Sequence, residues 1–201
     1  MKISITLNEV LRDFLSQLSY SYEKYIGQID IKKEDITSYN FIEYFKFETL
    51  DKFNHFLYFE APLEIFGHAD QLYDGLMSKF NLFLSDIEDD DEHQIEIVNR
   101  EVDKAIPSTL FFLSKNGSKI KNIRFVSSYK NAWDNTDVII TACPKILETK
   151  PEDKISVKVN APYNKNINAD YTINSILDFI NDTNFRNKIL TKTITTTYEQ
   201  L

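Results

Sequence analysis

The polar side chains best placed for chemistry follow two apolar stretches of the sequence. Thr6 and Asn8 lie at the end of the alternating segment Lys2–Leu7, and Thr141 follows the continuous apolar run Val138–Ile140. If both stretches are parallel strands, Thr6 and Thr141 meet at the carboxyl edge of one sheet, where open α/β sheets bind ligands. Hydroxyl and amide groups can bind a small ligand or an anion there. Because an amide has no titrating proton, Asn8 cannot act as a general acid or base.

The other groups that could bind a metal or act as a nucleophile lack the required spacing. His55, His68 and His93 form neither HxxxH nor HExxH. The acidic run 86–92 has neither the glycine nor the terminal glutamate of a calcium loop, which favours a solvated surface loop. Cys143, the single cysteine, is predicted to be a small buried apolar side chain rather than a reactive thiol. The sequence thus predicts no catalytic residue, no metal ligand and no cofactor.

The composition indicates a folded protein without a glycine-rich nucleotide loop. The 201 residues are 42% hydrophobic and include 15 Phe and 11 Tyr, enough for a substantial core. Thirty-one acidic against 23 basic side chains give a net charge of −8, which argues against a nonspecific phosphate-binding surface. The four glycines form neither GxGxxG nor a P-loop. No signal peptide and no long apolar run are present, so we expect a soluble protein made in a reducing compartment.

The first part of the sequence predicts a strand followed by helices. A helical stripe runs from Val10 to Tyr22, with Asn8 at the position of its N-cap. Further helices are predicted over Leu50–Phe59 and along the stripe Ile65–Phe83. Aromatic residues are dense in this region; most should be core, and some could form an apolar patch for a partner. These aromatic residues are Phe41, Tyr44, Phe45, Phe47, Phe53, Phe56, Tyr58 and Phe59.

Strand signals return after Pro107, which predicts a doubly wound, mainly parallel α/β sheet. Residues 1–20 and 105–190 are assigned to this core, residues 21–104 to an inserted helical cap, and residues 191–201 to a Thr-rich, β-prone tail. Such a tail could pair with an edge strand or with a partner chain. Late helices are predicted over Ile173–Ile180 and Phe185–Leu190. The predicted strands are Leu110–Leu113, Ile123–Val126, Val138–Ile140 and Ile155–Val159.

Three motifs occur in a characteristic order. The chain reads TLNEVLRDF from Thr6, places Ser114 after the apolar run LFFL, and reads AW…DVIITACP between Ala132 and Pro144, with PYN at 162–164. Together they resemble the haloacid-dehalogenase-like superfamily, especially its 5′(3′)-deoxyribonucleotidase branch. That branch has a strand ending in Asp-x-Asp-Gly-Val-Leu, a Ser or Thr after a second strand, and Lys-Trp…Asp-Val-Leu-Ile-Asp-Asp-x-Pro. The resemblance implies a sheet with an inserted cap.

The first motif departs from this family pattern at the positions that perform catalysis. Thr6 stands where the family has the nucleophilic aspartate, and Asn8 stands where it has the aspartate that acts as general acid and base. Glu9 replaces the glycine that lets the backbone approach phosphate. A carboxylate nucleophile is required for the aspartyl-phosphate intermediate, so neither step can occur here.

The last motif has also lost its functional groups. Thr141-Ala142 replaces the pair of aspartates that holds Mg²⁺, which removes hard oxygen ligands. Ala132 takes the place of the phosphate-neutralising lysine, and Lys130 could substitute only if the loop shifted. Because losing one member of a catalytic unit costs about 10⁴–10⁶ in rate, the resemblance implies a fold without its chemistry.

A second resemblance concerns the overall sequence rather than a functional motif. The stretches MKISITLNEVLRDF, EIFGHADQLYD and IPSTLFFLSK look similar to proteins that crAss-like tailed bacteriophages encode among structural genes. This resemblance implies a virion component made in the bacterial host cytoplasm, a ring subunit at the head–tail connector or the tail. Its partners would be further copies and other virion proteins, with no specific nucleic acid and no membrane.

Two alternatives from other functional classes remain. The first is a Mg²⁺-dependent 5′-deoxyribonucleotidase in which other carboxylates, Asp13 and Asp137 being nearest in sequence, take over the site. The second is a binding module that retains a nucleotide pocket as a sensor. Stabilisation by ligand separates the second from an assembly protein.

Overall fold

The structure is a computed structural model that describes residues 1–88 and 93–198. Its centre is a parallel sheet in the order β3-β2-β1-β4-β5-β6, which confirms the predicted parallel α/β sheet. The order reverses at β1, which pairs with β2 on one side and β4 on the other. The strands are β1 (Lys2–Ile5), β2 (Gln94–Asn99), β3 (Ile123–Phe125), β4 (Val138–Thr141), β5 (Ile155–Val159) and β6 (Tyr171–Ile173).

Helices and short helical turns cover both faces of this sheet. The larger core cluster contains Ile3, Ile5 and Ile97, and the smaller one on the opposite face contains Val98 and Ile139. Helical turns lie at Lys33–Asp35, Phe41–Glu43, Phe56–Glu60, Leu63–Gly67, Lys130–Trp133 and Pro162–Asn164. The helices are α1 (Phe14–Tyr25), α2 (Leu50–His55), α3 (Leu76–Glu88), α4 (Ala105–Lys115), α5 (Pro144–Glu148), α6 (Ile176–Asn181) and α7 (Thr183–Tyr198).

The segment LFFL, predicted as a strand, belongs to helix α4, so that prediction was wrong. Along α4 the buried residues Ala105, Thr109 and Phe112 recur at helical spacing, whereas Leu110 and Phe111 are exposed. The strand that the prediction lacked is β2, with the sequence QIEIVN, which pairs with β1 inside the sheet.

The predicted end of the cap, residue 104, is therefore too late in the chain, because α3 and β2 already belong to the core. The inserted segment leaves the core at residues 11–13 and returns at 70–72. These two connections pair: Asp13 N donates to Asp70 O (3.0 Å) and Leu72 N donates to Leu11 O (3.0 Å). The two crossings thus form an isolated antiparallel β-bridge between Arg12 and Gln71.

Three helix boundaries also differ from the predictions. Helix α1 begins at Phe14 rather than at Val10, so Asn8 is not its N-cap. The stripe Ile65–Phe83 is interrupted by a loop over 68–75, where Gly75 adopts φ +70°. The tail predicted as β-prone is helical as far as Tyr198, and residues 199–201 lie outside the described part. Of the acidic run, Asp86–Glu88 end α3 and residues 89–92 are not described.

Replacing Gly67 with alanine is expected to destabilise the packing of the insertion on α4. A Cβ atom at this position would lie 2.7 Å from Leu63 Cδ1, 3.2 Å from Phe111 Cδ1 and 3.2 Å from Ser108 O. Overpacking costs about 1–3 kcal/mol, partly offset by the better helix propensity of alanine, so we expect a net loss of about 1 kcal/mol in urea denaturation. Gly27→Ala, where nothing lies within 4 Å, is the control. Equal stability of both variants would contradict this account.

Candidate functional site

Thr6 and Thr141 lie at the carboxyl ends of the neighbouring strands β1 and β4, as predicted. The Thr6 hydroxyl donates to Thr141 Oγ1 at 2.9 Å, and both residues are buried. Thr141 Oγ1 also accepts a hydrogen bond from Cys143 N (3.0 Å). The two hydroxyl groups therefore satisfy each other at the positions where the resembled family has its nucleophilic aspartate and an aspartate that holds Mg²⁺.

Asn8, the residue at the acid–base position, is held by a buried arginine. Arg12 is fully buried and donates from Nε (2.9 Å) and Nη2 (2.6 Å) to Asn8 Oδ1. Sequence reasoning missed Arg12 as a site residue. The sequence offered no signal for it, because position 12 lies off the predicted apolar stripe of the first helix, where a charged residue is ordinary.

The same guanidinium connects the core to the insertion. It forms an ion pair with buried Glu101 and donates to Thr109 Oγ1 (2.8 Å) and to Phe66 O (3.1 Å). Its Cζ atom lies 5.1 Å from the ring centroid of Phe66 and 5.4 Å from that of Phe112. Burial lowers the pKa of Arg12, and Glu101 opposes this shift. Glu101 and Thr109 were also missed, because only the fold brings them to Arg12.

Glu9 adopts the left-handed conformation, with φ +58°, at the position where the resembled family has glycine. Its carboxylate accepts a hydrogen bond from Leu15 N (2.9 Å) at the start of α1 and pairs with Lys33 Nζ (2.6 Å). Lys33 also contacts Asp13 (2.6 Å). Burial raises the pKa of Glu9 against the effect of Lys33. Through these two contacts, Glu9 holds the start of α1 and Lys33 against the end of β1.

Ser114 does not take the place predicted for it after a strand, because it is an exposed residue of α4. The residue that ends the second strand is Asn99, whose side-chain oxygen accepts from Leu7 N (3.1 Å). Ala132 is buried in the turn Lys130–Trp133, and Lys130 is exposed. No lysine side chain of the described residues therefore replaces the phosphate-neutralising lysine at this turn.

The two carboxylates considered as substitutes for the catalytic aspartates, Asp13 and Asp137, have other partners in the structure. Asp13 precedes α1 and pairs with Lys33. Asp137 precedes β4 and accepts a hydrogen bond from Lys2 N (2.8 Å) at the opposite end of the strand from Thr141. Within the described residues, no group of three His, Cys, Asp or Glu side chains could hold a metal ion.

A cleft of about 1020 Å³ lies between the insertion and the carboxyl edge of the sheet. Thr6, Asn8 and Glu101 are at its core side. Three aromatic rings form one wall: the centroid of Tyr39 lies 4.9 Å from that of Phe41 and 5.3 Å from that of Tyr163. Burial raises the pKa of Tyr39 and of Tyr163, so both phenols stay neutral. One wall of the cleft is thus aromatic and uncharged.

Cys143 also lines this cleft and is half-buried, with its Sγ 3.3 Å from the Tyr39 hydroxyl. Burial raises the pKa of its thiol. Because the thiolate is the reactive form, a raised pKa lowers reactivity at neutral pH.

We expect iodoacetamide to modify Cys143 several-fold more slowly than a free thiol such as glutathione at pH 8. Mass spectrometry over time measures the rate directly, because the chain has a single cysteine. Addition of urea should restore the rate of an exposed thiol. Modification of the folded chain as fast as glutathione would show that the thiolate is accessible.

Within the described part of the chain, none of the helices combines the length and the hydropathy that a bilayer-spanning segment requires.

Comparisons with known proteins agree on the fold. No protein-family model matches the sequence, and no curated protein does. The β-phosphoglucomutase of Clostridium difficile is similar in structure, with a TM-score of 0.57 and 14% identity over 96% of this chain and 98% of that one. The putative hydrolase YfnB of Bacillus subtilis has a TM-score of 0.53 and 14% identity over 89% and 96% of the two chains.

A putative haloacid-dehalogenase-like hydrolase of Burkholderia xenovorans has a TM-score of 0.54 and 12% identity, covering 90% of this chain and 95% of that one. The parallel sheet and these similarities give the chain a haloacid-dehalogenase-like α/β fold. At this level of identity the comparisons describe the fold and not the activity.

Proposed function

We propose that this chain is a non-enzymatic assembly protein of a tailed-phage virion, a ring subunit at the head–tail connector or the tail. The observation that best supports a non-enzymatic role is the hydrogen-bonded pair of Thr6 and Thr141 at the strand ends. An aspartyl-phosphate cannot form on a threonine, and Mg²⁺ prefers carboxylate oxygens to a hydroxyl that is already engaged.

The second catalytic position supports the same proposal. Asn8 cannot exchange a proton, and its side-chain oxygen already accepts two hydrogen bonds from Arg12. Arg12 in turn is neutralised by Glu101. No cation of this network is left to stabilise a transferring phosphoryl group.

Assignment to a virion rests on the resemblance to structural proteins of crAss-like phages. Exposed apolar side chains on the surface where the insertion meets α4 are consistent with contacts between subunits. Leu63 and Phe111 are 48% and 43% exposed, and both lie next to Gly67. Heterologous contacts of this kind close into rings when the rotation between subunits permits.

Catalysis is tested by phosphate release from a panel of deoxynucleoside monophosphates with Mg²⁺. The native chain is compared with the variant Thr6→Asp/Thr141→Asp, whose folding is verified by circular dichroism. We expect no release above the blank from the native chain. Metal-dependent turnover by the native chain would overturn the non-enzymatic assignment.

Assembly is tested by light scattering across a concentration series and by electron microscopy of the chain and of purified particles. We expect ring-shaped oligomers. A chain that stays monomeric at every concentration and is absent from particles would overturn the assembly role. Thermal stabilisation by dTMP, which follows RT ln(1 + [L]/Kd), would instead favour a nucleotide-binding module.

A further inference from the structure

The core side of the cleft, formed by Thr6, Asn8 and Glu101, offers no cation to a phosphate group. The Thr6 hydroxyl is bonded to Thr141, and the Asn8 amide oxygen is bonded to Arg12. Glu101 adds a carboxylate whose charge Arg12 neutralises. None of the buried unpaired polar atoms among the described residues belongs to a residue that lines this cleft. This end of the cleft therefore lacks the positive charge that would stabilise a dianion.

The cleft nevertheless carries positive charge on its other lining residues. Arg100 and Lys165 line it and are exposed, and within residues 1–88 and 93–198 neither has a carboxylate at ion-pair distance. Arg100 lies over the Tyr129 ring, 4.7 Å from its centroid. Lys145, a third cation of the lining, is paired with Glu148 (3.0 Å). The chain has a net charge of −8, so two uncompensated cations in one cleft make the local charge there opposite in sign to that of the whole chain.

Size and lining determine what such a site can bind. A volume of about 1020 Å³ lies at the upper limit of small-molecule sites, which span about 300–1,000 Å³. Tyr39, Phe41 and Tyr163 supply an aromatic wall suited to edge-to-face or tilted ring contacts, each worth about 0.5–1.5 kcal/mol. The fitting occupant combines an aromatic group with carboxylates and is larger than a phosphate ester.

We propose that the cleft binds a peptide segment of a neighbouring protein, with an aromatic side chain against Tyr39, Phe41 and Tyr163 and carboxylates at Arg100 and Lys165. The inference rests on the proposed assembly role, since it names the chemistry of a partner. Charge complementarity commits the site to an acidic peptide. The cleft at the carboxyl edge of the sheet, where open α/β sheets bind ligands, then holds a segment of a neighbouring protein.

The proposal is tested by titrating the ¹⁵N-labelled chain with the peptide acetyl-Asp-Phe-Glu-Phe-Asp-amide. We expect saturable chemical-shift changes at residues of the cleft, and affinity that falls as salt rises. Arg100→Met and Lys165→Met should each weaken binding about 3–10-fold, as loss of a partly screened charge pair does. The uncharged peptide acetyl-Asn-Phe-Gln-Phe-Asn-amide should bind at least 10-fold more weakly.

Lys119→Met is the matched control, because Lys119 is exposed and does not line the cleft. This variant should bind as the native chain does. Absence of shift changes at millimolar peptide, equal binding of the uncharged peptide, or an equal loss in Lys119→Met would overturn the proposal. So would inorganic phosphate or dTMP that binds in the cleft and displaces the peptide. Ring assembly is measured separately, so the peptide site can fail while the assembly role stands.

Discussion

Replacing Arg12 with methionine is expected to lower the free energy of unfolding by about 3–5 kcal/mol, the cost of breaking a buried ion pair from one side. Methionine keeps much of the apolar contact with Phe66 and Phe112, so the loss of stability reports the removal of the guanidinium group alone. Glu101 would be left as a buried carboxylate with only Thr109 as a hydrogen-bond partner. Asn8 would also lose both of its donors.

The effect should be measured by urea denaturation of the full chain, with two comparison variants. Lys24→Met removes an exposed pair with Glu64 and should cost far less than Arg12→Met, because solvent screens exposed charges. Arg12→Met/Glu101→Leu removes both buried charges, so it should be more stable than Arg12→Met alone. A cost for Arg12→Met as small as that for Lys24→Met would show that the network does not hold the insertion to the core.

The strands that the sequence predicted correctly show either an unbroken apolar run or a strict alternation. Val138–Ile140 is an unbroken run, as suits a strand buried on both faces, and Ile155–Val159 alternates apolar with polar residues although both of its faces are buried too. Strand β2 was not predicted, because Glu96 interrupts its run of apolar residues. In the structure this glutamate is buried. LFFL looked like a strand because its four apolar residues do not distinguish a buried strand from one turn of a partly exposed helix.

The placement of Thr6 and Thr141 was predictable because it follows from topology alone. Parallel strands end at one edge, so two residues that follow neighbouring strands must meet there. The role of Arg12 was not predictable, because its partners Phe66, Glu101 and Thr109 lie 54, 89 and 97 residues away along the chain. Such contacts depend on where the insertion returns, which the sequence pattern placed too late.

The polar groups at the carboxyl ends of β1 and β4 have partners inside the protein: Thr6 bonds to Thr141, and Asn8 bonds to Arg12. Glu9 fastens α1 and Lys33. Arg12 and Glu9 thus stabilise the join between core and insertion, whereas the Thr6–Thr141 bond links two strands of the core.

The second large effect concerns Glu96, the charged residue within β2. Its carboxylate accepts from Ser4 Oγ (2.5 Å) and Arg124 Nη2 (2.7 Å) and pairs with Lys2 Nζ (2.8 Å). Burial raises the pKa of Glu96, but the hydrogen bonds from Arg124, Lys2 and Ser4 outweigh it, so the pKa lies below its ordinary value. Glu96→Gln should therefore cost about 2 kcal/mol at pH 7, in the range for hydrogen bonds to charged groups.

The pH dependence of this cost gives the sharper test. A carboxyl whose pKa is lowered by folding stabilises the protein fully above its unfolded pKa, and that stabilisation is lost as pH falls through the folded pKa. The difference between the native chain and Glu96→Gln should thus be constant from pH 7 down to about 5 and shrink below about 4.5. Glu48→Gln, which removes an exposed pair with Lys52, should cost far less than Glu96→Gln at pH 7. If the cost of Glu96→Gln did not shrink below pH 4.5, the carboxylate charge would not be what holds Lys2 and Arg124 across β1, β2 and β3.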